Sequence, residues 1–279
     1  MILNKTFLAT RSLLGGGGED PFQVLFGHLV PHRIDAAWAT WIESTFGLAV
    51  WNIQLFQVAA VLLTVCLFAR TAGAIRGAGG GAISRIMAGW VAWIRDEMVY
   101  PNMQREHADK LLPLFLSLFF YVLFMNLFGL VPFGATATAS VFVTGSLAAL
   151  TLVLMLVGGI WVQGPIRFWT SLVPHGVPAW LVPLMFPLEV VGLFIKPFAL
   201  MVRLGANMLG GHLVLLSFLG LALYFGTHFG SAVGLAIAPL SVGMSVFMLI
   251  IESFVSLLQA YVFTLLSVIF IGSCLHPDH

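Results

Sequence analysis

AWLVPLMFPLEVVGLFIKPFALMVRLGANMLGGHLVLLSFLGLALY, residues 179–224, is an apolar run carrying only three formal charges, Glu189, Lys196 and Arg203. A helix of about 45 residues is near 70 Å long at 1.5 Å per residue. The hydrocarbon core of a bilayer is about 30 Å thick. A second run of similar length, residues 232–274, holds Glu252 as its only charge, and THFGSAVG, 227–234, links the two. Either each run folds as two spans, or each is one helix lying far over in the membrane. Pro183, Pro187 and Pro197 can bend the first run. No polar break divides either, so two long, steeply tilted helices are the favoured reading.

Composition fixes the setting. Of 279 residues, 60% are hydrophobic and 8% charged, against roughly 25% charged in a soluble domain. So few charges cannot solvate a water-soluble fold of this size, and the mean hydropathy of +1.03 agrees. The chain reads as an all-α polytopic membrane protein embedded in a lipid bilayer. The net charge of +1 comes without a basic cluster, so nothing suggests nucleic acid. Cys66 and Cys274 sit in or beside apolar runs and act as small apolar residues.

Three shorter spans precede the long runs: residues 51–70, 111–131 and 141–162. Between the first two, AISRIMAGWVAWIRDEMV, 82–99, puts Ile83, Ile86, Met87, Trp90 and Ile94 on one stripe and Arg85, Arg95 and Asp96 off it. This pattern predicts an amphipathic helix, lying in the interface or packed on the protein's own spans. Residues 50–275 form the expected membrane domain, and residues 1–49 an extramembrane segment. The first twenty residues are too interrupted for a secretory core, a cleaved presequence being the other reading. His28 with His32 and His276 with His279 have metal-compatible spacing, but no further ligands lie near in sequence, so solvated tails are expected.

Charge placement orients the spans. Arg70, Arg76, Arg85, Arg95, Arg105 and Lys110 fall between spans one and two, and Arg167 follows span three. The links at 132–140 and 225–231 hold no Lys or Arg. Five spans with the N-terminus outside put both basic intervals inside. The rule speaks for spans one to three and is silent on the last two.

The residues foreign to lipid are Glu189, Lys196, Arg203, Asn207 and His212 in the first long run, and Glu252 and Gln259 in the second. An intramembrane charge costs at least about 2.5–3.5 kcal/mol, so such groups face protein or a water-filled path. Glu189, Lys196, Arg203 and Asn207 are spaced 7, 7 and 4 apart, which places them on one helical face, and Glu252 and Gln259 share another. Packed antiparallel, a common register sets Arg203 level with Gln259 and His212 level with Glu252. His212 is nine residues from Arg203, half a turn away. Either Gly205, Gly210 and Gly211 let the helix deform, or His212 points to Glu252 while Arg203 meets another partner; the second is preferred. Arginine keeps its proton at physiological pH, so Arg203 is a fixed charge. An imidazole beside a buried carboxyl can share its proton, so His212 and Glu252 form a candidate relay. Plainer readings stand beside these. Glu189 and Lys196 can end a structural network, Asn207 can be a helix–helix hydrogen bond, and His212 with Glu252 can be a structural pair. No acid of the chain lies at the level of Arg203, which implies a partner outside it.

PLEVVGLFIKPFALMVRLGANMLGGHLVLL, 187–216, ESFVSLLQAYVFTLLSVIF, 252–270, and FMNLFGLVP, 124–132, resemble the signature segments of subunit a of the F-type ATP synthase. The resemblance covers about residues 50–275. It implies a non-catalytic, cofactor-free stator subunit that holds two offset half-channels against a rotating ring of small two-helix proteolipids. A peripheral-stalk membrane subunit is the other implied partner, and the implied site is an energy-transducing membrane, bacterial inner or organellar inner. By motif, Arg203 is the arginine that faces the ring carboxylates, Gln259 is its neighbour and Asn207 follows. His212 and Glu252 exchange the acid and imidazole that some members carry. Glu189 falls where the family lines the inner route, and Lys196 matches a basic position without a clear role. Gly205 and Gly210 depart from the bulkier or alanine residues common there. A sodium-translocating version is the nearest alternative. An intramembrane hydrolase lacks a serine in a nucleophile motif, and a haem or quinone bundle lacks paired deep histidines.

Overall fold

The computed structural model describes residue 44 and residues 51–75, 81–130, 138, 140–172, 178 and 180–275. The segment 1–49, apart from Ser44, and the pair His276 and His279 thus lie outside the described residues, as do His28 and His32. Among the described residues every regular element is helical: α1 (Asn52–Ile75), α2 (Ala82–Trp93), α3 (Arg105–Leu130), α4 (Val141–Gln163), α5 (Pro165–Ser171), α6 (Val182–Phe229) and α7 (Ser231–Leu275). Five of them, α1, α3, α4, α6 and α7, are long and apolar enough to cross a membrane. The two long runs are single helices of 48 and 45 residues, so neither is split into two spans. Pro187, Pro197 and Pro239 lie inside them without ending them.

The link between the long helices is shorter than the sequence suggests. Residues 227–229 continue α6 and α7 begins at Ser231. The turn is Gly230 alone, at φ +100°, a backbone region open to glycine and strained for other residues. The chain can reverse so abruptly because Gly226 and Gly234 face each other: a Cβ on Gly234 would lie 2.5 Å from the Gly226 Cα. Ser241 donates its hydroxyl proton to the Phe218 carbonyl a few turns further in.

Helix α7 is the hub, packing on α6, α3 and α4. Its core contains Phe263, Val268 and Ile271, set against Phe115 and Phe119 of α3 and Met155 of α4. The spans are unequally covered: about 44% of the most apolar stretch is buried in α3 and in α7, but only 11% in α1 and in α6. Outward residues such as Val58, Leu62 and Val65 on α1 are apolar and exposed, the pattern of a surface that meets lipid. Helix α6 therefore lies on the body with most of its own surface uncovered.

The amphipathic segment is helical over its expected length, with a change of pitch. Residues 94–99 run on from α2 as a π-helix, burying Ile94, Met98 and Val99. Trp90 packs on Phe119, and Trp93 stacks on Tyr261, so this element rests on the protein's own spans. Its polar side carries Arg95 paired with Asp96 at 2.8 Å, which holds the Asp96 carboxyl below its ordinary range. The Tyr100 hydroxyl donates to Asp109 at 2.8 Å and its titration is pushed up as a result. A short helix absent from the sequence reading, α5, fills the break after α4. Gln163 donates to the Cys274 carbonyl at 2.6 Å and accepts from Ser171 at 2.7 Å, tying the end of α7 to this corner.

Replacing Gly234 with alanine forces α6 and α7 apart at their tightest crossing. The expected loss is about 1–3 kcal/mol, the usual cost of overpacking, read as a lower unfolding midpoint in detergent. Gly243→Ala, where a Cβ meets nothing within 4 Å, shifts the same midpoint by no more than about 0.5 kcal/mol.

Candidate functional site

The hairpin of α6 and α7 brings two polar layers together. In the layer nearer the Gly230 turn, His212 Nδ1 lies 2.5 Å from Glu252 Oε1. The other ring nitrogen, Nε2, lies 2.9 Å from the carbonyl oxygen of Gly129 at the end of α3. A carbonyl only accepts, so Nε2 carries a hydrogen. Nδ1 and Oε1 then share one further proton, placed either on the imidazole or on the carboxyl. Glu252 is 4% exposed, and Gly211 makes room for it: a Cβ there would stand 2.7 Å from Oε1.

In the second layer Asn207 Nδ2 donates to Gln259 Oε1 at 3.0 Å. The partner of Gln259 is thus Asn207 rather than Arg203, although Arg203 is only one turn from Asn207. Arg203 is exposed on the uncovered side of α6, and among the described residues it has neither hydrogen bond nor ion pair. Of the two arrangements open from the spacing, the hairpin takes the one in which His212 faces Glu252 and the arginine faces outward.

Asn126 of α3 completes the cluster from the side, donating to the Ser256 carbonyl at 3.3 Å. Asn126, Asn207, Glu252, Ser256 and Gln259 line a cavity of about 10 Å³, room for about one water. Four buried polar atoms of these residues have no hydrogen-bond partner among the described residues: Asn126 Oδ1, Glu252 Oε2, Ser256 Oγ and Gln259 Nε2. Leaving such atoms unpaired costs roughly 1–3 kcal/mol each, so this is a place built for a polar guest.

Glu189 and Lys196 stand apart from the cluster. Glu189 is 18 residues before Asn207, about 27 Å along an ideal helix, and both side chains are partly exposed. Lys196 places Nζ 5.7 Å from the Phe270 ring centroid, a cation–π contact with the C-terminal end of α7. Among the described residues no three of His, Cys, Asp and Glu come together as a metal group. Sequence reasoning missed Asn126, Ser256 and the Gly129 carbonyl as parts of the site. Asn126 did carry a signal, being a lone amide inside an apolar span. Ser256 carried none, because a serine in a membrane helix ordinarily bonds its own backbone. Ser256 is not bonded to His212, both of whose ring nitrogens are already engaged, so the two do not form a nucleophile–base pair.

A family model described as ATP synthase A chain matches residues 53–272. ATP synthase subunit a of Myxococcus xanthus (strain DK1622) is 40% identical over 235 residues, covering 81% of this chain and 74% of the relative. ATP synthase subunit a of Anaeromyxobacter dehalogenans (strain 2CP-C) is 45% identical over 193 residues, 67% of this chain and 49% of the relative. That of Chloroherpeton thalassium (strain ATCC 35110 / GB-78) is 40% identical over 199 residues, with 71% and 57% covered. The chain thus spans about half the length of several of the curated relatives it matches.

Gly211→Ala tests the contact between Glu252 and His212. The added methyl crowds the Glu252 side chain, so the carboxyl leaves His212 and stability falls by about 1–3 kcal/mol, the cost of breaking one buried polar contact. Infrared difference spectra referenced to Glu252→Gln then show a shifted carboxyl band. Gly210→Ala, where a Cβ meets nothing within 4 Å, leaves that band in place.

Proposed function

The chain belongs to the ATP synthase subunit a family, and from that premise we propose that it is the stator that passes protons to and from a rotating ring of carboxylate-bearing proteolipids. Its place is the membrane sector of a bacterial enzyme; the chemistry on ATP belongs to other subunits. The observation that carries the reading is the state of Arg203. Asn207 pairs with Gln259 and His212 with Glu252. Arg203, by contrast, is exposed on the largely uncovered helix α6 and meets no acid among the described residues.

A proton arriving from the outer side meets the layer of His212 and Glu252, passes the level of Asn207 and Gln259, and neutralises a ring carboxylate. A neutral carboxyl can face lipid where an ionised one cannot, so the ring turns. After nearly a full circuit the carboxyl reaches the inner route near Glu189 and gives up its proton. Arg203 stands between the two routes. Its permanent charge favours the ionised carboxylate as it passes and repels a proton moving straight across. The steep lie of α6 over the bilayer would let one helix serve both routes at different depths. Whether the cargo is a proton or sodium is set mainly by the ring ligands, and a neighbouring peripheral-stalk subunit would hold the stator still.

Arg203→Ala, reconstituted into proteoliposomes with the rest of the complex, is expected to reduce gradient-driven ATP synthesis to the uncoupled background. Synthesis near the wild-type rate would refute the assignment. Affinity capture of the chain from native membranes is expected to bring down a small two-helix proteolipid with a mid-helix carboxylate.

A further inference from the structure

The grip on His212 restricts what this residue can do. To relay a proton, an imidazole takes it on one nitrogen and releases it from the other. Here Nε2 faces the Gly129 carbonyl at 2.9 Å and Nδ1 faces Glu252 at 2.5 Å. An amide carbonyl accepts a hydrogen bond but is far too weak a base to receive the proton itself. A ring flip would break both contacts at once. The imidazole therefore has one open partner, Glu252 Oε1, and no exit.

Glu252 does have an exit. Its second oxygen, Oε2, is buried and has no hydrogen-bond partner among the described residues. Glu252 lines the cavity of about 10 Å³ together with Asn126, Ser256 and Gln259. The orphaned atoms of those neighbours have complementary chemistry: Asn126 Oδ1 accepts, Gln259 Nε2 donates, and Ser256 Oγ does either. A buried water needs two to four such partners and about this much space. We propose that Glu252 Oε2 is the atom through which protons enter and leave the outer layer, across one water held by Asn126, Ser256 and Gln259, and that His212 is a positioning residue outside the path. This rests on the stator reading above and refines its outer route.

The proton count closes. At rest one proton lies in the Nδ1···Oε1 contact beside the fixed Nε2–H, and the pair has net charge zero. Loading adds a proton at Oε2, which makes the pair +1. Unloading passes it from Oε2 to the water, which gives up one of its own protons toward the ring and is regenerated. Asn126 and Ser256 never change protonation; they hold the water in line with Oε2.

The test uses ATP-driven proton pumping in membranes that hold the assembled complex. Ser256→Ala removes one oxygen without adding bulk, and is expected to lower pumping about tenfold, the rate cost of one ordinary hydrogen bond, with an enlarged solvent deuterium isotope effect. Ser256→Thr, which keeps the hydroxyl, restores both. His212→Gln cannot relay a proton but can still donate N–H bonds, and it retains pumping clearly above the background set by Arg203→Ala. Wild-type pumping and an unchanged isotope effect in Ser256→Ala would overturn the water bridge. Pumping at the Arg203→Ala background in assembled His212→Gln complexes would overturn the positioning role. Either result leaves the stator reading intact as long as Arg203→Ala itself is inactive; an active Arg203→Ala removes that reading instead.

Discussion

A guanidinium cannot give up its proton to escape a low-dielectric environment, and Arg203 is held in one without an acid among the described residues. Insertion of such a charge costs at least about 2.5–3.5 kcal/mol, so a fold that keeps it needs a compensating interaction. The acids of the two long helices are used elsewhere or lie too far along the helix. Glu252 is committed to His212, and Glu189 is 14 residues away on the same helix. The unequal coverage of the spans follows from the same constraint. Helices α3 and α7 are buried in the body while α6 is left open, so the face that carries the arginine is available to a second polypeptide.

The remaining polar groups show the opposite strategy. They are folded inward and satisfied by one another, and a few backbone details make that possible. Gly230 reverses the chain in a single residue, which fixes the antiparallel register of α6 and α7. Gly211 yields the space that the Glu252 carboxyl occupies. The end of α3 supplies a carbonyl that settles which imidazole nitrogen carries hydrogen. Charge-neutral sharing inside the hairpin and an exposed cation outside it are two parts of one design. The inward-facing groups are paired with one another, and the arginine stands exposed away from them.

Much of this was legible in the sequence because lipid imposes simple rules. Span length, the scarcity of charge and the basic intervals identify the five long helices, and spacing alone sets His212 level with Glu252. What was not legible depends on close contact between backbones. A polar link of eight residues, 227–234, contracts to one turn residue because two glycines let the helices touch there, a fact about pairs that composition does not encode. The partner of Gln259 is Asn207 rather than the level-matched Arg203, whose side chain one turn earlier on α6 is exposed. Asn126 reaches the cavity because α3 packs beside the hairpin; its isolated amide marked it as unusual, but nothing local in the span names Ser256 as its neighbour. The π-helical run at 94–99 buries Ile94, Met98 and Val99, and the short helix α5 buries Phe168, contacts that the local pattern does not specify.

The central claim is that the counterion of Arg203 belongs to another chain. Cysteine cross-linking at Ala206, exposed and close to Arg203 on α6, tests it most directly. In membranes containing the assembled complex, a cysteine placed at 206 is predicted to form a disulfide with one placed beside the carboxylate of the ring proteolipid. Protection of position 206 by lipid or by this chain's own helices, with no cross-link to the proteolipid, would contradict the account.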